Sequence, residues 1–571
     1  MRIGRGLSLT LGLVLALAAC APPSAPPDVA TPAGLDADPV TAALDEGNKD
    51  GTNDDTFAYG TAQATLRVGL KNITRRYINP LEMSVVAMGG LKGLATIDPS
   101  LNVTLSGDGG DGSIVRLTMG DTPLQRFTAP KGDAATSWGR LASDLIHTAR
   151  AHSPDLKNAA DERIFEAMFD GMMSDLDIFS RYAGAEEARA NRARRDGFGG
   201  IGVRFTKAED GILITHVSKA GPAQTAGVKP GDVFVRIDDE NIRSLSQRGV
   251  AKRLRGPVGS LVGITVARLA PGVGTVERRI DFSLKRAHIV PETVRVRIAD
   301  GVLVLRITSF NKNTAVDAHA ALSAVEDKIN SGVLHGVVMD LRGNPGGLLS
   351  QSVNVADMFV EEGRIIATRG RHQDSFHDYR AGHGDLTKGL PLVVLIDGDS
   401  ASAAEIVASA LQDLGRAVVV GSASYGKGTV QTVVRLPNDG EMTLTWSRLV
   451  SPSGYALHGL GVMPTVCATN ALHGQGEQGS AVGLGAEQTA DAILEPLHID
   501  GQQGAMTAWR AAGMIFDGRR AKLRKACPAQ AFKPKNSQDI LMQLAVRVID
   551  SPALYLRALV QTDGVSTASR H

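Results

Sequence analysis

The chain has 571 residues, with 61 Lys and Arg against 60 Asp and Glu, for a formal net charge of +1. Hydrophobic residues at 43% and charged residues at 21% exclude a wholly disordered chain, and the balanced charge argues against a polyanion as the main partner. Aromatics at 4% are too sparse for stacking on single-stranded nucleic acid, so no nucleic-acid partner is expected. The length suggests roughly three to four domains.

Arg2 and Arg5 precede a nearly continuous apolar run, Leu7 to Ala19. Its length suits a signal-peptide core and is too short to cross a bilayer. The run ends in Leu17-Ala18-Ala19-Cys20, which resembles a bacterial lipoprotein lipobox. The resemblance implies a signal peptide over 1–19, diacylglycerol on Cys20 and a Pro/Ala/Asp/Asn-rich tether over 20–55. The expected location is the bacterial cell envelope, on the periplasmic side, with the membrane reached through the lipid. A plain secretory signal with an incidental cysteine is the alternative. In an oxidising compartment Cys467 and Cys527 can pair, the alternative being two separate buried thiols.

Residues 60–97 and 136–182 carry helical periodicity around Leu70, Leu91, Leu94, Leu141, Leu145, Ile164 and Met168, and 101–128 alternates like strands. Residues 56–195 therefore read as a mostly helical region. From Phe198 to about Leu284 the pattern becomes short strands with Gly/Pro turns and one helix. Gly197-Phe198-Gly199-Gly200-Ile201-Gly202 fits the dinucleotide pattern, but a charged run precedes it and a strand follows, where a helix is required. Backbone N–H groups at Gly200, Ile201 and Gly202 can instead form a nest for a carboxylate. Val250 and Leu254, four apart on a helix, would wall an apolar slot beside Ile201 and Val203. With Gly221-Pro222-Ala223 to Gly231-Asp232-Val233, the stretch 196–285 resembles the PDZ domains of proteases. That resemblance implies strand addition by an extended peptide whose free C-terminal carboxylate is captured. A small β domain used only for packing is the alternative.

Residues 286–470 alternate strand and helix, an α/β layer. Pro391 to Ile396 reads as a buried strand, Asp397 to Ser400 as a turn, and a helix follows from Ser402. Ala403, Ile406, Val407, Ala410, Leu411 and Leu414 form one apolar stripe. Ser402 thus sits at a helix N-terminus, where free N–H groups and the dipole favour negative charge. The same Ser402-Ala403-Ala404-Glu405 also fits a capping box in which the hydroxyl merely caps. The helix and the returning strand, Arg416 to Gly421, are of similar length, so the loop at Lys427 comes back level with Ser402. Alternation then puts Lys427, Thr429 and Gln431 on one side. A lysine serves as a base only when burial lowers its pKa enough to leave it neutral, and Gln431 would accept from the amine without adding charge. Gly421 to Gly428 imitates a phosphate-binding loop, but Gly428 stands where Ser or Thr must be and the β-branched run after it is a strand. Asp397 and Asp399 would repel an oxyanion if they pointed inward.

Ser400-Ala401-Ser402-Ala403-Ala404-Glu405-Ile406 together with Tyr425-Gly426-Lys427-Gly428-Thr429-Val430-Gln431 resembles the C-terminal processing peptidases, also called tail-specific proteases. The resemblance implies Ser402 as nucleophile, Lys427 as base and Gln431 as orienter. It also implies a multidomain α/β protein in which a PDZ domain accompanies a crotonase/Clp-like serine protease core. Asp340-Leu341-Arg342-Gly343-Asn344-Pro345-Gly346-Gly347 is similar to the family's turn, so an amide of Gly346 or Gly347, with that of Ala403, would form the oxyanion hole. Ser451 to Tyr455 and Gly461 to Pro464 also match. Ala404 replaces a frequent serine, and Gly421 to Ser424 lacks the usual Glu. Residues 471–571 match poorly and read as a helical extension, with Asp539, Ile540, Met542, Leu544, Ala545 and Val548 spaced for one buried face. No metal site or cofactor is expected. The expected partners are proteins with exposed C-termini and an adaptor protein. The rival reading is a non-catalytic PDZ scaffold lipoprotein in which Ser402 is only a cap.

Overall fold

The computed structural model describes residues 58–107, 112–209, 211–219, 221–269, 276–382, 384–469, 493–494, 504–532 and 539–563. The lipidation site expected at Cys20 and the tether lie outside them. Among the described residues no helix is long and apolar enough to cross a membrane.

The chain opens with α1 (Tyr59–Arg76) and α2 (Met83–Gly93), then a meander of β1 (Leu101–Ser106), β2 (Ile114–Met119) and β3 (Thr122–Thr128). Helices α3 (Ala135–His152), α4 (Pro154–Asn158) and α5 (Asp161–Met173) follow, then β4 (Arg181–Ala183) and α6 (Ala185–Arg195). On α1 the buried Ala62, Leu66, Leu70 and Ile73 recur every three to four residues, the stripe expected of a helix with one covered face. This region is not a separate helical module. Strand β4 pairs with a strand of the core, Tyr182 opposite Met442, and Leu436, Met442 and Leu444 complete the hydrophobic cluster built on Leu66, Trp138 and Phe169. The long core hairpin projects past its own sheet, and its apolar end must be covered by something.

The next segment holds β5 (Phe198–Gly200), β6 (Val203–Ala208), β7 (Gly211–Val217), α7 (Pro222–Thr225), β8 (Val233–Ile237), β9 (Glu240–Asn241), α8 (Gln247–Leu254), β10 (Leu261–Leu269), β11 (Val276–Lys285) and β12 (Ala287–Ile289). The sheet order β11-β10-β8-β7-β6 leaves β6 as an edge strand beside α8. The residues expected to wall an apolar slot lie together in this domain. Ile201, Val250 and Leu254 are 2%, 0% and 4% exposed and pack within the domain's core, leaving Val203 half-buried. Gln247 Nε2 donates to Thr206 Oγ1 at 3.4 Å, joining α8 to β6. Entry and exit of this domain run side by side, because β5 pairs antiparallel with β12.

The core comprises β13 (Val294–Ala299), β14 (Val302–Ile307), α9 (Thr314–Ser323), α10 (Glu326–Asn330), β15 (Gly336–Asp340), α11 (Leu349–Asp357), β16 (Arg364–Gly370), β17 (His377–Arg380), β18 (Leu392–Ile396), α12 (Ala403–Asp413), β19 (Val418–Gly421), β20 (Thr429–Arg435), β21 (Glu441–Val450) and β22 (Val466–Cys467). One sheet runs β13-β14-β15-β18-β19-β22, parallel from β14 onward. A second, antiparallel sheet runs β17-β16-β21-β20, with β4 attached to β21. The architecture is multidomain α/β. Strand β18 is buried at every position, as its unbroken apolar run requires in a doubly covered sheet.

Residues 504–532 clasp this core. Trp509 Nε1 donates to Gly461 O at 3.1 Å, Arg520 donates to Ala456 O and His458 O, and Cys467 pairs with Cys527 across a sequence separation of 60. The helix Ile540–Asp550 buries Leu541, Leu544, Ala545, Val548 and Ile549. Asp539 departs from the expected buried face. It caps that helix by accepting from Met542 N, and it pairs with Arg342 at 2.6 Å.

Candidate active site

The strand β18, the Asp397–Ser400 turn and α12 place Ser402 at the first step of a helix that is buried on all sides. Its backbone lies at φ +54°, ψ −111°, a region that non-glycine residues rarely occupy. Holding it there costs on the order of 1–3 kcal/mol and points the side chain sharply out of the chain path. Glycine is required opposite: a Cβ on Gly346, itself at φ +96°, would lie 2.8 Å from Ser402 Cβ.

Glu405 does much of the holding. It is 0% exposed, and its Oε2 accepts from Ser402 N at 2.7 Å. Its Oε1 accepts from Ser424 Oγ at 2.5 Å and from Gly426 N at 2.7 Å. One carboxylate therefore ties the Ser402 amide to the loop that carries Lys427. The pair forms the reciprocal layout of a capping box, the Ser402 side chain facing the Glu405 backbone N–H while the Glu405 carboxylate accepts from Ser402 N. Burial pushes the Glu405 carboxyl up, and the hydrogen bonds with the Arg524 charge oppose it. Arg524 itself donates to Ser424 O at 2.9 Å, so the clasp braces the same loop.

Lys427 is half-buried and makes no hydrogen bond among the described residues. Its Nζ lies over the Phe179 ring, 5.2 Å from the centroid, and His458 meets the same ring edge-on at 6.1 Å. Burial first, and the Arg181 charge second, lower its pKa against the pull of Glu405 and Asp177. The expected hydrogen bond from the amine to Gln431 is not formed. Gln431 Nε2 donates instead to Thr429 Oγ1 at 2.7 Å, two residues earlier on β20.

The Asp340–Gly347 turn is anchored from several sides. Arg342 bonds both Asp340 and Asp539, and Asn344 Nδ2 donates to Ile307 O at 2.9 Å while its carbonyl accepts from Ala401 N at 2.9 Å. Gly346 N is committed to Asn344 Oδ1 at 2.9 Å, so it is withdrawn as an oxyanion donor. The amides of Gly347 and Ala403 have no partner among the described residues, and both residues line the cavity beside Ser402. Asp397 faces away from that cavity, accepting from Gly343 N and Ser400 Oγ. The cavity is about 470 Å³ and includes Ser402, Gln431, Phe310, Leu348 and Ile406 in its walls. Among the described residues no cluster of His, Cys, Asp or Glu is grouped to hold a metal ion.

Three contributors lie outside the motifs that the sequence singles out. Asp177 caps a turn by accepting from Phe179 N at 2.9 Å and Ser180 N at 3.0 Å, and so presents Phe179 to Lys427. The Asp-x-x-Ser spacing marks that turn, but nothing local says that it abuts a loop some 250 residues away. Arg181 is the third.

Residues 301–468 match the family model for peptidase family S41, and residues 199–279 match that for a PDZ domain. The carboxy-terminal-processing protease of Bartonella bacilliformis is 37% identical over 313 residues, covering 55% of this chain and 71% of that protein. The carboxy-terminal processing protease CtpA of Bacillus subtilis is 29% identical over 342 residues, covering 59% of this chain and 71% of its own. A probable CtpA-like serine protease of Staphylococcus aureus is 30% identical over 315 residues, covering 54% and 61%. Fold and site together define a serine-type peptidase that carries a PDZ domain. The chain belongs to peptidase family S41.

Proposed function

We propose that the protein is a Ser/Lys endopeptidase that cleaves proteins selected by their exposed C-terminal tails. Ser402 Oγ attacks the scissile carbonyl while neutral Lys427 Nζ takes its proton. The oxyanion is received by the Gly347 and Ala403 amides, at the positive end of α12. Lys427 then returns the proton to the leaving amine, and water, activated by the same amine, releases the acyl group from Ser402. Gln431 holds the Thr429 hydroxyl and keeps that wall uncharged, where a carboxylate would hold Lys427 protonated. The PDZ domain receives the tail along β6, its edge strand.

The observation that carries this reading is the strained Ser402, tied by Glu405 to the loop of a lysine that burial drives toward neutrality. A scaffold needs none of these. The test is digestion of an unfolded protein by wild type, Ser402→Ala and Lys427→Ala. Loss of at least about 10³-fold in kcat in each variant, with unchanged thermal unfolding, is expected. Equal digestion by all three sinks the assignment.

Export, lipidation of Cys20 and residence on the periplasmic face of a membrane belong to the same proposal, supported by the lipobox residues. Incorporation of labelled fatty acid that Cys20→Ala abolishes is the expected result. A delivering adaptor protein is also part of it, to be sought by crosslinking to the PDZ domain.

A further inference from the structure

The cavity beside Ser402 carries more positive charge than its walls neutralise. Arg181 on β4 and Arg194 and Arg195 at the end of α6 line it with one carboxylate, Glu441, and Arg195 also pairs with Asp196 at 3.3 Å outside the lining. Glu441 is buried, and its Oε1 is already taken by Arg192 at 3.0 Å and Arg195 at 3.2 Å. Arg194 donates to Asn191 Oδ1 at 2.8 Å and to no carboxylate. The Arg181 guanidinium has no hydrogen-bond or ion-pair partner among the described residues. In a chain of net charge +1 this local surplus does not reflect a generally basic surface.

Surplus guanidinium groups in a cleft favour a carboxylate, which they bind through paired, charge-assisted hydrogen bonds. We propose that Arg181 and Arg194 form a basic subsite that takes a carboxylate of the peptide substrate close to the scissile bond. The proposal rests on the reading of Ser402 and Lys427 given above. Its carboxylate has two chemical sources, an Asp or Glu side chain or the terminal carboxylate of the chain being cut. Arg181 also acts on the base, since its charge helps to hold Lys427 neutral. A carboxylate bound to Arg181 cancels part of that charge. Acidic substrates therefore meet a slightly more basic Lys427 than neutral ones, a signature that a purely structural arginine does not produce.

The experiment compares kcat/KM for peptides that are amidated at the C-terminus and differ only in one Gln or Glu, moved through each position. At one position wild type is expected to favour Glu by about tenfold at low salt, and the ratio should shrink as salt rises. Arg181→Gln and Arg194→Gln should each lower that ratio at least threefold, and Arg181→Glu should turn it toward Gln. The acid limb of kcat, which reports the enzyme–substrate complex, should lie at higher pH for the Glu peptide than for its Gln twin, and the gap should close in Arg181→Gln. If the preference instead follows free acid over amide and is lost in Arg181→Gln, the subsite takes the chain terminus. A Glu-to-Gln ratio within twofold of one throughout, with no Arg181-dependent preference for the free acid, overturns the proposal. So does a full preference in the double arginine variant. Cleavage that survives in Ser402→Ala strikes the reading of the site itself, a separate failure.

Discussion

Replacing Glu405 by Gln tests how the nucleophile is held. Both carboxylate oxygens accept backbone amides, Oε2 from Ser402 and Oε1 from Gly426. The Gln NH₂ must therefore face an N–H whichever way it turns. The least harmful orientation keeps the oxygen at Oε1, which serves two donors, and breaks the bond to Ser402 N. One charge-assisted hydrogen bond is lost and a buried donor is left unpaired, about 2–4 kcal/mol in all. Ser402, already in an unfavourable backbone region, then relaxes away from its position. A shift near 1 Å in a reacting group costs about 10²-fold in rate. Urea unfolding should report the stability loss, and steady-state peptide cleavage should show kcat down by about that factor with KM little changed. A variant within about 0.5 kcal/mol and twofold of wild type refutes the role assigned to Glu405.

Lys427 is active when neutral, and burial and Arg181 lower its pKa. Activity should thus rise with pH through that pKa, and Arg181→Gln should move the limb to higher pH, measured as kcat/KM on an uncharged peptide. Gly346→Ala places a methyl 2.8 Å from Ser402 Cβ at φ +96°, so kcat should fall about 10²-fold while the PDZ domain keeps its native hydrogen-exchange pattern. The Cys467–Cys527 bridge spans 60 residues, and losing it in a Cys467→Ser, Cys527→Ser variant should lower stability by about 4 kcal/mol. An unfolding midpoint that does not change on reduction would contradict the last of these.

What the sequence revealed, it revealed through short-range pattern. The apolar stripe from Ala403 to Leu411 and the unbroken run Leu392–Ile396 correspond to α12 and β18 as expected, because one period and one face decide each. The spacing of Ser402 and Lys427 is readable because only one helix and one strand separate them. Glu405 was visible only as a cap, since its second oxygen bonds a loop about twenty residues onward. Phe179 and Arg181 were invisible, because their place beside Lys427 depends on β4 pairing with β21 across some 260 residues. The partner of Gln431 has a local reason: Thr429, two residues earlier on the same face, accepts from its amide.

The joining of β4 to β21 also determines where this protein can be divided. The PDZ domain enters and leaves through one two-stranded ladder, so β5 and β12 are the places to cut when it is exchanged for another, with the Arg248–Glu186 pair to α6 lost in the exchange. The segment before it cannot. Removing residues 59–195 would strip Leu436, Met442 and Leu444 of their cover and take Phe179 away from the lysine. A minimal peptidase made from the family-matched span alone would therefore be sticky and misassembled at its own active site. For recombination, natural or engineered, the heritable catalytic unit begins near Tyr59 and not at the first strand of the core.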